Sequence, residues 1–207
     1  MEELISPCVP RDFANYKLPD PALLLYYQDL DDRVLWLNDV VDLTTLEITQ
    51  RVIRWNMEDV GLQIEERVPI KIFINSPGGY LHEGLAVVDT MLMSKTPIYT
   101  ICVGLAASAA SLIFIAGSRR FMLPHSRLLF HQGSATLSGN ASDVQSASKD
   151  YEKLVESMKS LILERCSKLN KAKLTKQWKS GDWYVNASEA IEMGAAEAVV
   201  ENVEDLM

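Results

Sequence analysis

The stretch Thr100-Ile-Cys-Val-Gly-Leu-Ala-Ala-Ser108-Ala-Ala-Ser111-Leu-Ile-Phe-Ile-Ala-Gly117 decides the fold class. An apolar run ends at Gly104, a turn of small residues follows, and a second apolar run carries Ala109, Ala110 and Ala116. The pattern predicts a buried strand, a tight turn and a buried helix, with Ser108 at the helix start. A serine there supports two readings. Its side-chain oxygen caps the helix, or its hydroxyl is a nucleophile held at a strand-to-helix turn.

Working outward toward the N-terminus, Ile70-Lys-Ile-Phe-Ile74 reads as a β-branched strand, stopped by Asn75-Ser-Pro-Gly-Gly79. Leu81 to Ser94 has helical periodicity, and Pro97 separates it from the strand that begins at Ile98. Further upstream, Leu43 to Asp59 is an amphipathic helix, Val34 to Leu37 a strand and Tyr26 to Leu30 a short helical turn. Residues 1 to 22 hold Pro7, Pro10, Pro19 and Pro21, which block helix and remove backbone donors, so an extended arm is expected there.

Toward the C-terminus, Phe121 to Leu123 and Leu128 to Phe130 are two short strands split by Pro124-His-Ser126. Asp143 to Asn170 is the longest helical pattern, and its length predicts that it projects from the core or packs on a neighbouring subunit. Asn186-Ala-Ser-Glu189 opens a short helix that Gly194 closes, before a last strand at Ala198 to Val200. Strands alternating with helices predict an α/β fold with a largely parallel sheet. No Pro- or Gly-rich linker follows the arm, so residues 23 to 207 form one domain.

The chain of 207 residues has 23% charged residues and a net charge of -8. It lacks the basic excess that binding to a phosphate backbone requires, which argues against a nucleic-acid partner. The cysteines, Cys8, Cys102 and Cys166, are three and widely spaced, so neither a disulfide framework nor a CxxC pair is expected and a reducing compartment fits. No apolar run reaches membrane-spanning length, and Glu2 and Glu3 stand where a signal peptide would be basic. A cytoplasmic location is the expectation.

Two turns leave strands at what should be one edge of the sheet: Asn75 to Gly79 and Gly104 to Ser108. Ligand sites in parallel sheets lie outside the carboxyl ends of the strands. Gly79 offers a backbone amide with no side chain in the way, and Ala109 offers the amide after Ser108; alternatively, Pro77-Gly-Gly79 simply makes a turn. Of the three histidines, His131 ends an apolar run, His125 sits in a turn, and His82 begins His-Glu-Gly-Leu-Ala, which lacks the second histidine of a zinc-binding helix. His131 is therefore either a general base or a strand-end core residue. Asp182, between helical segments and beside Trp183 and Tyr184, either orients that base in a water-shielded setting or belongs to a turn. No metal site and no GxxxxGK[ST] phosphate loop is found, so neither a cofactor nor intrinsic ATP hydrolysis is expected.

Ile74-Asn-Ser-Pro-Gly-Gly79, Gly104-Leu-Ala-Ala-Ser108, Leu123-Pro-His-Ser-Arg127 with His131-Gln132, Asp182, and Ser188-Glu-Ala190 through Gly194 together resemble ClpP, the proteolytic subunits of the Clp protease. The resemblance spans roughly residues 26 to 200. It implies a crotonase-like stack of ββα units, a projecting handle helix at about 143–170, and Ser108, His131 and Asp182 as nucleophile, base and orienter. Gly79 and Ala109 would supply the oxyanion-hole amides. It also implies a homo-oligomer of two stacked seven-membered rings that degrades unfolded chains fed by an AAA+ unfoldase of the ClpX, ClpA or ClpC type, which supplies the ATP hydrolysis.

Three departures from the family pattern stand out. Gly133-Ser-Ala-Thr136 replaces a proline and a glycine-rich segment that aligns substrate. Gly181 replaces an arginine that couples ring contacts to the triad. The turn between Gly117 and Phe121 is short. These changes leave open, as the alternative, a non-catalytic or weakly active structural ring subunit of a hetero-oligomeric Clp complex. A third reading, binding of acyl-CoA thioesters as in other members of the fold, finds no sequence feature for a CoA site.

Overall fold

β-Branched and aromatic residues set the strands. A computed structural model of the chain describes residues 20–206 and divides at Asp32 into a short N-terminal unit and a body from Arg33 onward. The expected arm lies mostly outside the described residues. Within the N-terminal unit, Pro21–Asp31 forms α1, longer than the turn expected at residues 26–30. Pro21 is its first residue, where a missing N–H costs nothing because the helix offers it no acceptor.

The body is a mixed α/β fold around a seven-stranded sheet that is parallel except at one pair. β1 (Val34–Leu37), β2 (Ile70–Ser76), β3 (Ile98–Ala107), β4 (Arg119–Met122) and β7 (Ala198–Val199) run in that spatial order, all parallel. β5 (Arg127–Phe130) pairs parallel with the far end of β3, and β6 (Trp183–Asn186) pairs antiparallel with β5. The β6 segment was not expected as a strand. Its Trp-Tyr-Val run has the right residue types, but it is only four residues long, follows a polar turn and runs straight into a helix at Ala187.

Three helices cover one face: α2 (Leu46–Glu58), α3 (Leu81–Met93) and α4 (Ala109–Ala116). Under them, Leu37, Ile74, Cys102 and Met122 form one buried cross-strand row. α4 is buried along its whole length, and each of Leu112, Ile113, Phe114 and Ile115 contributes roughly 1.5–3 kcal/mol by leaving water. The helix expected from Leu43 begins at Leu46. Asp42 first caps a short 3-10 turn over Leu43–Thr45, its carboxylate accepting from the Thr44 amide.

The opposite face stays partly open. There Trp36 stacks on Phe73 with centroids 4.6 Å apart, in the same cross-strand row as Ile101 and Phe121. The long helix α5 spans Ala141–Arg165, about 37 Å at the usual rise, and only Met158 and Ile162 on it are buried. It ends five residues short of the expected Asn170, because Cys166 and Leu169 turn into the core and Asn170 caps the separate α6 (Lys171–Ser180). α7 (Ala187–Met193) closes on Gly194 in the left-handed region, as the sequence indicated. Among the described residues no helix is long and apolar enough to cross a membrane.

Candidate active site

The site lies where β3 changes partners. Residues 99–102 of β3 pair with β4, and residues 105–107 pair with β5. Between them the register with β2 slips: Ile74 faces Cys102 but Ser76 faces Ala106, four steps of β3 against two of β2. Asn75 occupies the gap, its side-chain oxygen accepting from the Leu105 amide at 3.1 Å and lying where a Cβ on Gly104 would be. The strand therefore continues past Gly104, where the sequence suggested it would stop, and carries its end to β5.

At that end Ser108 has φ 55° and ψ -125°, an unfavourable region for a residue with a Cβ. Its backbone is pinned on both sides. The amide donates to the Leu129 carbonyl at 2.9 Å, and its own carbonyl accepts from the amide and hydroxyl of Ser111. The Ser108 hydroxyl does not cap α4; it lies 2.8 Å from His131 Nε2. Strain at a sharp strand-to-helix turn thus aims the hydroxyl out of the helix instead of along it.

The pairing of β5 with β6 brings the other two groups together. Leu129 faces Tyr184 and Phe130 faces Trp183, so the next step of the same register sets His131 against Asp182. His131 Nδ1 is 3.4 Å from Asp182 Oδ1. That separation is longer than a good hydrogen bond. The Asp182 side chain is 56% exposed and that of His131 28% exposed, so the expected shielding of Asp182 by its aromatic neighbours is not seen in the single chain. Phe130 and Trp183 pack on each other at 5.7 Å. Gly181, at φ 103°, has open space where a side chain would begin.

On the other side of Ser108, Gly78 and Gly79 permit two close approaches. A Cβ on Gly78 would meet the Ala107 carbonyl and lie 2.7 Å from Ser108 Cβ. A Cβ on Gly79 would collide with the Val41 carbonyl. The flanking groups bridge to Val41: its amide donates to Gly78 O at 2.9 Å, and the Tyr80 amide donates to Val41 O at 2.7 Å. By strand alternation the Gly79 amide points away from Val41. Among the described residues no acceptor takes the amide of Gly79 or of Ala109. Ser76, 1% exposed, fixes this turn by donating to Asp39 O at 2.6 Å and accepting from the Gly78 amide at 3.1 Å. Its role was not foreseen; the only sequence signal was a serine between a strand and a proline.

The remaining candidates are elsewhere. His82 is exposed on α3 and His125 is exposed in the turn after β4. Among the described residues no cluster of His, Cys, Asp or Glu could hold a metal ion. Cys102 and Cys166 are fully buried, and burial pushes their thiols up to about 11 and about 12. The predominant neutral forms are weak nucleophiles.

The Clp protease family model matches residues 29–203. The chain belongs to the Clp protease family. Its relatives include the ATP-dependent Clp protease proteolytic subunit of Bacteroides fragilis, 32% identical over 174 residues, covering 82% of this chain and 79% of that one. A proteolytic subunit 2 from Treponema denticola is 35% identical, covering 77% of this chain and 79% of its own. Another subunit 2, from Chlamydia abortus, is 31% identical over 99% of this chain and 96% of its own length. The family consists of serine peptidases, and the fold described above agrees with the family's.

Proposed function

We propose that this chain is a serine endopeptidase in which Ser108 is the nucleophile, His131 the general base and Asp182 its orienter. The observation that carries this reading is one line of contacts: Ser108 Oγ to His131 Nε2 at 2.8 Å, and the opposite ring nitrogen toward Asp182 at 3.4 Å. Ser108 Oγ attacks the scissile carbonyl carbon while Nε2 takes the hydroxyl proton. The developing oxyanion is received by the amides of Gly79 and Ala109, for which no acceptor is found among the described residues; Gly78, next to Gly79, sits against Ser108 and the Ala109 amide. Collapse of the tetrahedral adduct breaks the C–N bond, and His131 passes its proton to the departing amine. Water then repeats the sequence in reverse on the acyl-serine, returning Ser108 and His131 to their starting forms. The chemistry uses neither metal nor cofactor.

The chain works as a ring subunit in this reading. The exposed half of α5 and the open Trp36–Phe73 sheet face are apolar or amphipathic surfaces of the kind that subunit contacts cover. Two stacked heptameric rings enclosing the sites, an AAA+ unfoldase as the ATP-consuming partner, unfolded chains as substrates and a cytoplasmic setting complete the proposal. The curated relatives are themselves named as ATP-dependent, which supports the separate ATPase. Hydrolysis of a short fluorogenic peptide by the purified, ring-assembled protein, lost in Ser108→Ala, is the expected result. Assembled rings that hydrolyse nothing, or a Ser108→Ala variant as active as wild type, overturn the proposal.

A further inference from the structure

The segment that carries His131 is tied down from outside the triad. β5 ends at Phe130, and residues 131–138 have no strand partner, so no ladder bond holds the backbone just after the imidazole. Two side-chain bonds replace it. Tyr151 on α5 donates its phenol to the Gln132 carbonyl at 2.7 Å, and the Gln132 amide donates to the Trp178 carbonyl at 2.9 Å. Trp178 is buried near the end of α6, four residues before Asp182. Gln132 therefore links the stretch following the base to the helix that leads to the carboxylate, and Tyr151 holds the peptide on which that link is built. The approach depends on the turn at Gly133, φ 78°, where a Cβ would sit 3.2 Å from the Tyr151 hydroxyl.

We infer that Tyr151 is a positioning residue for the reaction: its hydroxyl, delivered from the long helix, keeps the His131 segment in the register that sets Nε2 against Ser108. The inference rests on the serine-peptidase reading and goes beyond it, because the phenol acts through the Gln132 backbone and not on either reacting side chain. A freed Gln132 carbonyl would let the imidazole leave the 2.8 Å contact for part of the time. One neutral hydrogen bond of ordinary strength corresponds to about a five-fold lower kcat.

The test compares wild-type and Tyr151→Phe rings, which share the aromatic ring and differ in the hydroxyl. Active sites are counted by titration with a fluorophosphonate; kcat and KM for a fluorogenic peptide and the rate of Ser108 phosphonylation are then measured per titrated site. The expected result is an unchanged site count, KM within two-fold, and kcat and phosphonylation rate lowered together by about five-fold. Wild-type rates per site overturn the inference, as does a loss confined to the number of titratable sites, which is what a purely structural role would give. Should Tyr151→Phe fail to assemble, Gly133→Ala presses on the same contact from the loop side. It is expected to lower both rates per site, and unchanged rates overturn the inference. Wild-type rings that take no label at Ser108 bring down the peptidase reading itself, whereas labelled wild-type rings with an indifferent Tyr151→Phe bring down this inference alone.

Discussion

Removing the Asp182 carboxylate should slow turnover by about a hundred-fold, a smaller loss than removing either of its partners. In the proposed mechanism the carboxylate acts on the imidazolium that forms as Ser108 gives up its proton. At the observed 3.4 Å, that attraction is about 5 kcal/mol for an effective dielectric near 20 and about 1 kcal/mol in bulk water. A side chain 56% exposed belongs between these limits, so about 3 kcal/mol, or two decades of kcat, is the working figure. The assay is peptide hydrolysis by the Asp182→Asn and Asp182→Ala proteins, normalised to assembled protein, at low and high salt. Exposure predicts that high salt narrows the gap to wild type, because the contact is screened. Two outcomes refute the reasoning. Full activity in Asp182→Ala would show that the carboxylate does not serve the base. A loss as deep as that of Ser108→Ala, insensitive to salt, would show that the working contact is shorter and dry.

Other predictions follow from the surrounding framework. Gly79→Ala places a Cβ against the Val41 carbonyl and displaces one of the two proposed oxyanion donors, so kcat should fall by roughly 100- to 1,000-fold with little change in KM, measured on assembled protein. Asp59 is buried, accepts two bonds from Arg33 at 2.7 and 2.8 Å and one from Thr96 at 2.7 Å, and the Arg33 guanidinium holds its carboxyl below the usual aspartate range. Asp59→Asn should lower unfolding stability by about 3 kcal/mol by leaving Arg33 unpaired in a nearly buried place, as read from denaturant titration. The wild-type contribution is present in full above about pH 4 and is lost as the pH falls through the depressed folded value, so the Asn variant's deficit should shrink in acid. Cys102 and Cys166, with thiols pushed to about 11 and about 12, should stay unalkylated by iodoacetamide at pH 8 until the protein is unfolded, as read by peptide mass mapping.

Much of the fold was legible because apolar periodicity and breakers agree along the body. Pro97 between α3 and β3, and Gly194 after α7, fall where elements change, and Ser108 stands at the junction of β3 and α4. The misreadings share a cause, tertiary pairing that leaves no local trace. β3 runs on past Gly104 because β5 takes over from β4 as its neighbour and Asn75 fills the slip in register. The helical pattern through Cys166 and Leu169 marks burial rather than continued helix. In the site, residue types and spacing nominated Ser108, His131 and Asp182, but β6 was not visible as a strand. The register that sets Asp182 beside His131 could therefore not be derived from spacing alone. Tyr151 and Ser76 were missed because a tyrosine in a helix and a serine after a strand are common in roles unrelated to catalysis.

The most direct test of the central claim is to treat the assembled wild-type and His131→Ala proteins with a fluorophosphonate and map the adduct by mass spectrometry over time. The account predicts one adduct per chain, on Ser108, forming rapidly in wild type and at least a hundred-fold more slowly without the imidazole. An adduct on another residue, or equal labelling rates in the two proteins, would contradict it.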